Sequence, residues 1–158
     1  MSSQTEPAAV LATLRRFLLA IVGLGLFGTG TELLLMGHYE DPWQLVPLVV
    51  IALSLAVLGW HTVSGGAASL RAHCLAMALL MISGALGIVL HYRGNMEFQL
   101  EIDASLRGLP LFLKVMNAKA PPALAPGNMA LLGLLGLAYA YRHPAADPTV
   151  RRTTTEGA

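Results

Sequence analysis

Five histidines and one glutamate carry most of the chemistry that this 158-residue sequence could perform. His38, His61, His73, His91 and His143 all fall at or near the ends of apolar runs, and Glu32 is the only carboxylate inside one. Imidazole titrates close to neutral pH and ligates metals and haem iron. An ionisable group within an apolar helix is expensive to bury and is therefore a functional candidate.

The run from His73 to His91 sharpens this reading. His73, Met77, Leu80, Gly84, Gly87 and His91 follow alternating spacings of four and three, which puts both histidines on one helical stripe. At 1.5 Å per residue they stand about 27 Å apart, too far to share one ion. Two sites are therefore expected, one near each end. His91 would meet His38 and Glu32 at one, forming a metal site, and His73 would meet His61 or His143 at the other. Paired imidazoles from facing helices could also hold a b-type haem, making His38, His91, His61, His73 and His143 candidate cofactor ligands, with Gly84 and Gly87 leaving room for a flat ring.

A plainer account competes with that chemistry. His38-Tyr39 and His91-Tyr92 close two of the runs, Trp60-His61 closes another, and Tyr141-Arg142-His143 the last. Amphipathic side chains of this kind anchor helix ends at a membrane–water interface. The repetition also suggests two copies of one helical hairpin, related by an axis along the membrane normal. Glu32 lies little more than a turn from its helix end, where it would reach water or pair with Arg93; the competing role is a proton or ion pathway.

Motifs of soluble enzymes are absent: there is no P-loop, no Gly-x-Ser-x-Gly elbow and no His-Glu-x-x-His. Gly23, Gly25 and Gly28 match the dinucleotide spacing, but inside an apolar helix with no preceding strand the match is false. Cys74 is the single cysteine, which rules out an intramolecular disulfide and a cysteine-rich metal site. It reads as a small packing residue.

The elements that must position these groups are apolar helices. Four stretches, residues 17–36, 43–60, 72–90 and 124–141, each approach the roughly 20 residues needed to cross a bilayer. Hydrophobic residues make up 55% of the chain and charged ones 12%, and those charges gather between the runs rather than along helix faces. A net charge of +1 gives no reason to expect a nucleic-acid partner. The first run is too long for a signal peptide's apolar region and lacks a cleavage site, so it is read as a retained helix.

The expected fold is all-α, a four-helix transmembrane bundle with a small extracytoplasmic cap between helices three and four. Its membrane domain covers 14–143 and its cap about 92–123, between a disordered N-terminus at 1–13 and a disordered tail at 144–158. Arg15, Arg16, Arg71, Arg142, Arg151 and Arg152 fall on one side of that topology and Arg93, Arg107, Lys114 and Lys119 on the other. Positively charged flanks stay inside, so both termini are expected in the cytoplasm of a cell-membrane protein.

Small residues should knit the helices together, since lipid is as apolar as leucine. Gly25, Gly28, Thr29 and Glu32 share one face, expected to point inward, and Ala52 with Ala56, Ala72 with Ala76, and Gly136 with Ala140 repeat the spacing of four. Pro47 and Pro126 fall near helix starts, and no helix reads as broken at mid-membrane, which argues against a transporter. Within the cap, residues 96–103 alternate like a strand, while Phe98, Ile102, Leu106, Leu109 and Leu113 keep helical spacing, so the period is ambiguous.

Three functions follow. The leading one is a non-enzymatic accessory, assembly or scaffolding subunit in the lipid bilayer, packed against other integral membrane proteins or against itself. The second is a haem- or metal-binding redox subunit using the histidines. The third is a proton or ion pathway through Glu32.

Overall fold

The computed structural model describes residues 5–119, 121 and 123–146, and the described residues are helical with no strand. Five α-helices follow in order: α1 (Thr5–Leu35), α2 (Pro42–Ser64), α3 (Ala67–Ile102), α4 (Gly108–Met116) and α5 (Leu124–Ala140), with a 3-10 turn at Pro144–Ala146. Three of them, α1, α2 and α3, are long and apolar enough to cross a membrane. The chain therefore has the character of a membrane protein. α5 is equally apolar but has 17 residues.

Boundaries follow local chemistry. Asp41 caps α2 by accepting from Trp43 N–H at 2.8 Å, and Gln44 Oε1 accepts from the Glu40 and Asp41 N–H groups, a reciprocal capping box just ahead of Pro42. α2 stops at Gly65, whose φ of 58° is left-handed and favours glycine. α2 begins at Pro42, so Pro47 falls inside the helix rather than in its first turn.

α1 and α3 run longer than expected. α1 is helical from Thr5, so only the first four residues of the segment 1–13, expected to be disordered, lie outside the described chain. Strong helix formers at Ala8, Ala9, Leu11 and Ala12, with Glu6 in the first turn, carry the helix backward. α3 continues through the ambiguous stretch to Ile102, giving 36 residues and about 54 Å. The helical period wins over the alternating one because nothing interrupts the ladder between His91 and Asp103 and the described residues hold no strand to pair with it. At the other end, the expected disordered tail is ordered through Ala146, and 147–158 lie outside the described residues.

Four helices pack in a ring, α1 against α2, α2 against α3, α3 against α5 and α5 against α1, so that α1 and α3 lie diagonally opposite, as do α2 and α5. The most extensive contact joins α3 to α5. A Cβ at Gly84 would lie 2.5 Å from Pro126 O and 2.6 Å from Ala130 N, and one at Gly133 would lie 2.6 Å from Met77 O and 2.8 Å from Met81 N. Glycine at these positions brings the two backbones together. The core between the helices is Val22, Leu26, Leu33, Ile51, Met77, Leu80, Met129 and Leu132.

Two expected faces are turned differently. On α1 the buried stripe is Val22, Leu26, Thr29 and Leu33, while Gly28 and Glu32 are exposed. Leucine and valine offer more contact area to the core than glycine, and this rotation leaves Glu32 outside. On α2, Ile51, Ser54 and His61 are buried and Ala52 and Ala56 exposed. Thr29 is tied to α5 through Asn128, whose Nδ2 donates to Thr29 Oγ1 at 2.7 Å.

α4 packs on α3 alone and does not cover the end of the ring. The turn between them is firm. Asp103 Oδ1 accepts from the Ser105 N–H and hydroxyl at 3.0 and 2.6 Å, Arg107 donates to the Ala104 and Leu106 carbonyls at 2.8 Å, and Gly108 takes a left-handed φ of 56°. Tyr92 meets Phe112 with ring centroids 6.2 Å apart, and Val115 is fully buried.

Candidate functional site

At the end of the ring where α2 ends, α3 begins and α5 ends, three histidines and a tyrosine converge among apolar helices. His61 is 2% exposed, His73 is fully buried and Tyr139 is 7% exposed. His61 joins the two diagonal helices: its Nε2 lies 2.8 Å from the Tyr139 hydroxyl and its Nδ1 2.9 Å from Ser69 Oγ. Tyr139 in turn lies 3.1 Å from His143 Nε2.

One assignment of protons satisfies this chain. The Ala145 N–H donates to His143 Nδ1 at 3.2 Å, so His143 carries its proton on Nε2 and donates to the tyrosine oxygen. Tyr139 then donates to His61 Nε2, His61 Nδ1–H donates to Ser69 Oγ, and the Ser69 hydroxyl donates to Gly66 O at 2.9 Å. Ser64 adds a donation to Ser69 at 2.8 Å. Each group is neutral, and the polarity runs one way.

His73 stands beside this chain. Its Nε2–H donates to Gly136 O at 3.1 Å, its Nδ1 has no partner among the described residues, and its ring lies 27° from parallel to that of His61, with centroids 5.7 Å apart. Gly136 permits the approach, since a Cβ there would press on Met77 and lie 3.4 Å from His73 Nε2. On the outer flank Arg15 of α1 donates to the Tyr141 and Arg142 carbonyls at 3.2 and 2.8 Å, closing α5's last turn with a cation at its negative end. Burial, then the charge of Arg15 and the neighbouring His61 and His73, hold the His143 imidazole below its ordinary pKa.

At the opposite end, His38 and His91 bring their rings to 6.1 Å, 21° from parallel. Burial, then His91, lowers the His38 pKa. The histidines thus fall into two end groups: His38 lies beside His91 at this end, and His61 lies beside His73 and His143 at the other, the His61 and His143 ring centroids being 5.6 Å apart. Glu32 does not join His38 and His91. Among the described residues no three His, Cys, Asp or Glu side chains converge as a metal would require.

A b-type haem held by His61 would break the hydrogen-bonded chain, because both of its ring nitrogens already have partners. His61 would have to abandon Ser69 or Tyr139 to bind iron. The space expected beside Gly84 is filled by Pro126 and Ala130 of α5, and Pro126 also lies against Gly87. Sequence reasoning missed Tyr139, Ser69 and Gly133. Tyr139 lies four residues before His143, the spacing that places two side chains on one helical face.

Comparison with known protein families, with curated proteins and with solved structures finds no match to this chain.

Proposed function

We propose that this chain is a four-span membrane protein with both termini in the cytoplasm, acting as a non-enzymatic accessory or assembly subunit. α5 serves as the fourth span, its 17 residues covering about 26 Å, close to the bilayer's apolar thickness. The histidine–tyrosine network lies at the cytoplasmic end beside Arg15 and locks the ends of α2, α3 and α5 together. It contains no carboxylate and both its termini lie at the same end of the ring, so its role is to fix structure.

The observation that carries the reading is the helical hairpin formed by the last turns of α3 and by α4. It extends past Tyr92 and Arg93, where aromatic and basic residues suit the membrane interface. It nevertheless exposes Phe98 (59%) and Ile102 (64%), one turn apart on α3, and Leu109 (67%) on α4. Exposed apolar side chains on a firm element outside the bilayer suit a protein interface. The partner that suits it is the extracytoplasmic part of another membrane protein.

Native electrophoresis of membranes solubilised in a mild detergent tests this. The parent chain should migrate in a complex larger than its monomer, and Phe98→Glu with Leu109→Glu should release the monomer while leaving its helical circular dichroism unchanged. A monomeric parent, or a double variant that migrates with the parent complex, would refute the accessory role.

A further inference from the structure

A cavity of about 360 Å³ lies at the end of the ring opposite the histidine network, where the last turn of α1, the first turns of α2, the second half of α3 and the start of α5 meet. Its size is that of a small-molecule site. The walls are apolar, with Leu33, Leu86, Leu90 and Met129 among them, and Trp43 supplies an aromatic surface.

Polar groups gather where His38 and His91 enter the lining with Gln44 and Asn95. Gln44 commits its Oε1 to the α2 cap, so its amide nitrogen is the part left to donate. Among the described residues no Lys, Arg, Asp or Glu lines the cavity. A phosphate, carboxylate or ammonium head would therefore be desolvated without a counter-charge, which is strongly unfavourable. Imidazole N–H groups and the Gln44 amide instead match carbonyl or hydroxyl oxygens. We propose that this cavity binds the uncharged, oxygen-bearing ring of a lipophilic molecule, a membrane quinone or quinol, with His38 and His91 holding a ring oxygen and the apolar tail leaving toward the lipid.

The two tryptophans make the test direct. Trp43 lines the cavity, and Trp60 lies near the C-terminal end of the same helix. The full chain in lipid nanodiscs, carrying either Trp60→Phe or Trp43→Phe, is titrated with a short-chain benzoquinone while the remaining fluorescence is followed. Trp43 emission should be quenched saturably, and Trp60 emission only by the linear quenching that partition into lipid produces. Gly94 lines the cavity, and a Cβ there meets nothing within 4 Å, so Gly94→Leu adds bulk at the lining without straining the helices. It should weaken binding at least tenfold, and His91→Phe should weaken it to a similar degree. Equal, non-saturating quenching of both tryptophans would overturn the proposal. So would undiminished binding by the folded Gly94→Leu variant, or displacement of the quinone by a fatty acid at the same concentration. This test is independent of the accessory role, because it reads binding in the isolated chain.

Discussion

Replacing Tyr139 by Phe removes a single oxygen and should unlock one end of the molecule. That hydroxyl donates to His61 at 2.8 Å and accepts from His143 at 3.1 Å, so two hydrogen bonds vanish together. Each is worth roughly 0.5–1.5 kcal/mol net, and less on average between membrane helices, about 0.6 kcal/mol. His61 is 2% exposed and keeps its Nδ1–H on Ser69, so its Nε2 lone pair is left bare in an apolar setting, a further penalty of about 1–3 kcal/mol. The expected loss is about 2–4 kcal/mol. Reversible unfolding in mixed detergent micelles, followed by circular dichroism, would measure it. A cycle with His143→Ala separates the two bonds: the double variant should be less destabilised than the two single losses added together, because both variants break the same contact. A loss below about 0.5 kcal/mol, or strict additivity in the cycle, would show that the network does not hold this end together.

Other consequences are open to the same assays. Gly133→Ala pushes a methyl group against the α3 backbone, which cannot rotate away as a side chain can, and should destabilise by roughly 1–3 kcal/mol. Gly59→Ala meets nothing within 4 Å in a helix and should stabilise by about 0.5–1 kcal/mol, giving an internal control of opposite sign. Asn128→Leu should weaken the α1–α5 contact by about 1 kcal/mol, measured by the same unfolding titration, and Thr29→Val should add little once Asn128 is gone. Acidification should destabilise the fold. His143 and His38 have folded pKa values below the ordinary value of about 6.5, so the unfolded chain takes up protons first. Their contribution is then complete above about pH 6.5 and lost as pH falls through the lower folded values. A pH series of unfolding midpoints should show this decline, and His143→Gln should flatten it.

Much of this architecture was legible in the residues. The positions of the apolar runs came from hydropathy, and the grouping of histidines at two ends came from their places beside those runs. What the sequence hid was rotation and reach. Helical spacing puts Gly25, Gly28, Thr29 and Glu32 on one face; Thr29 is buried and Gly25 packs on Leu132, but Val22, Leu26 and Leu33, with their larger apolar area, take the rest of the core and turn Gly28 and Glu32 outward. The stretch 96–103 satisfies both periods, and only the continuity of α3 decides between them. Tyr139 carried a signal in its spacing from His143, yet its link to His61 crosses the diagonal of the ring, and pairing between helices that are not neighbours leaves no local pattern. Gly133 was readable only once its partner, the backbone of Met77 to Met81, was known.

The central claim, that the chain crosses the membrane four times with the histidine–tyrosine network on the cytoplasmic side, is tested most directly by labelling single cysteines in intact cells. Cys74 is first changed to Ser, and cysteines are placed one at a time at Glu6, Glu40, Ser105 and Ala145. A membrane-impermeant maleimide should label the variants at 40 and 105 from outside, and those at 6 and 145 only after the membrane is opened. Labelling of positions 105 and 145 from the same side would mean that α5 does not cross, and would contradict the account.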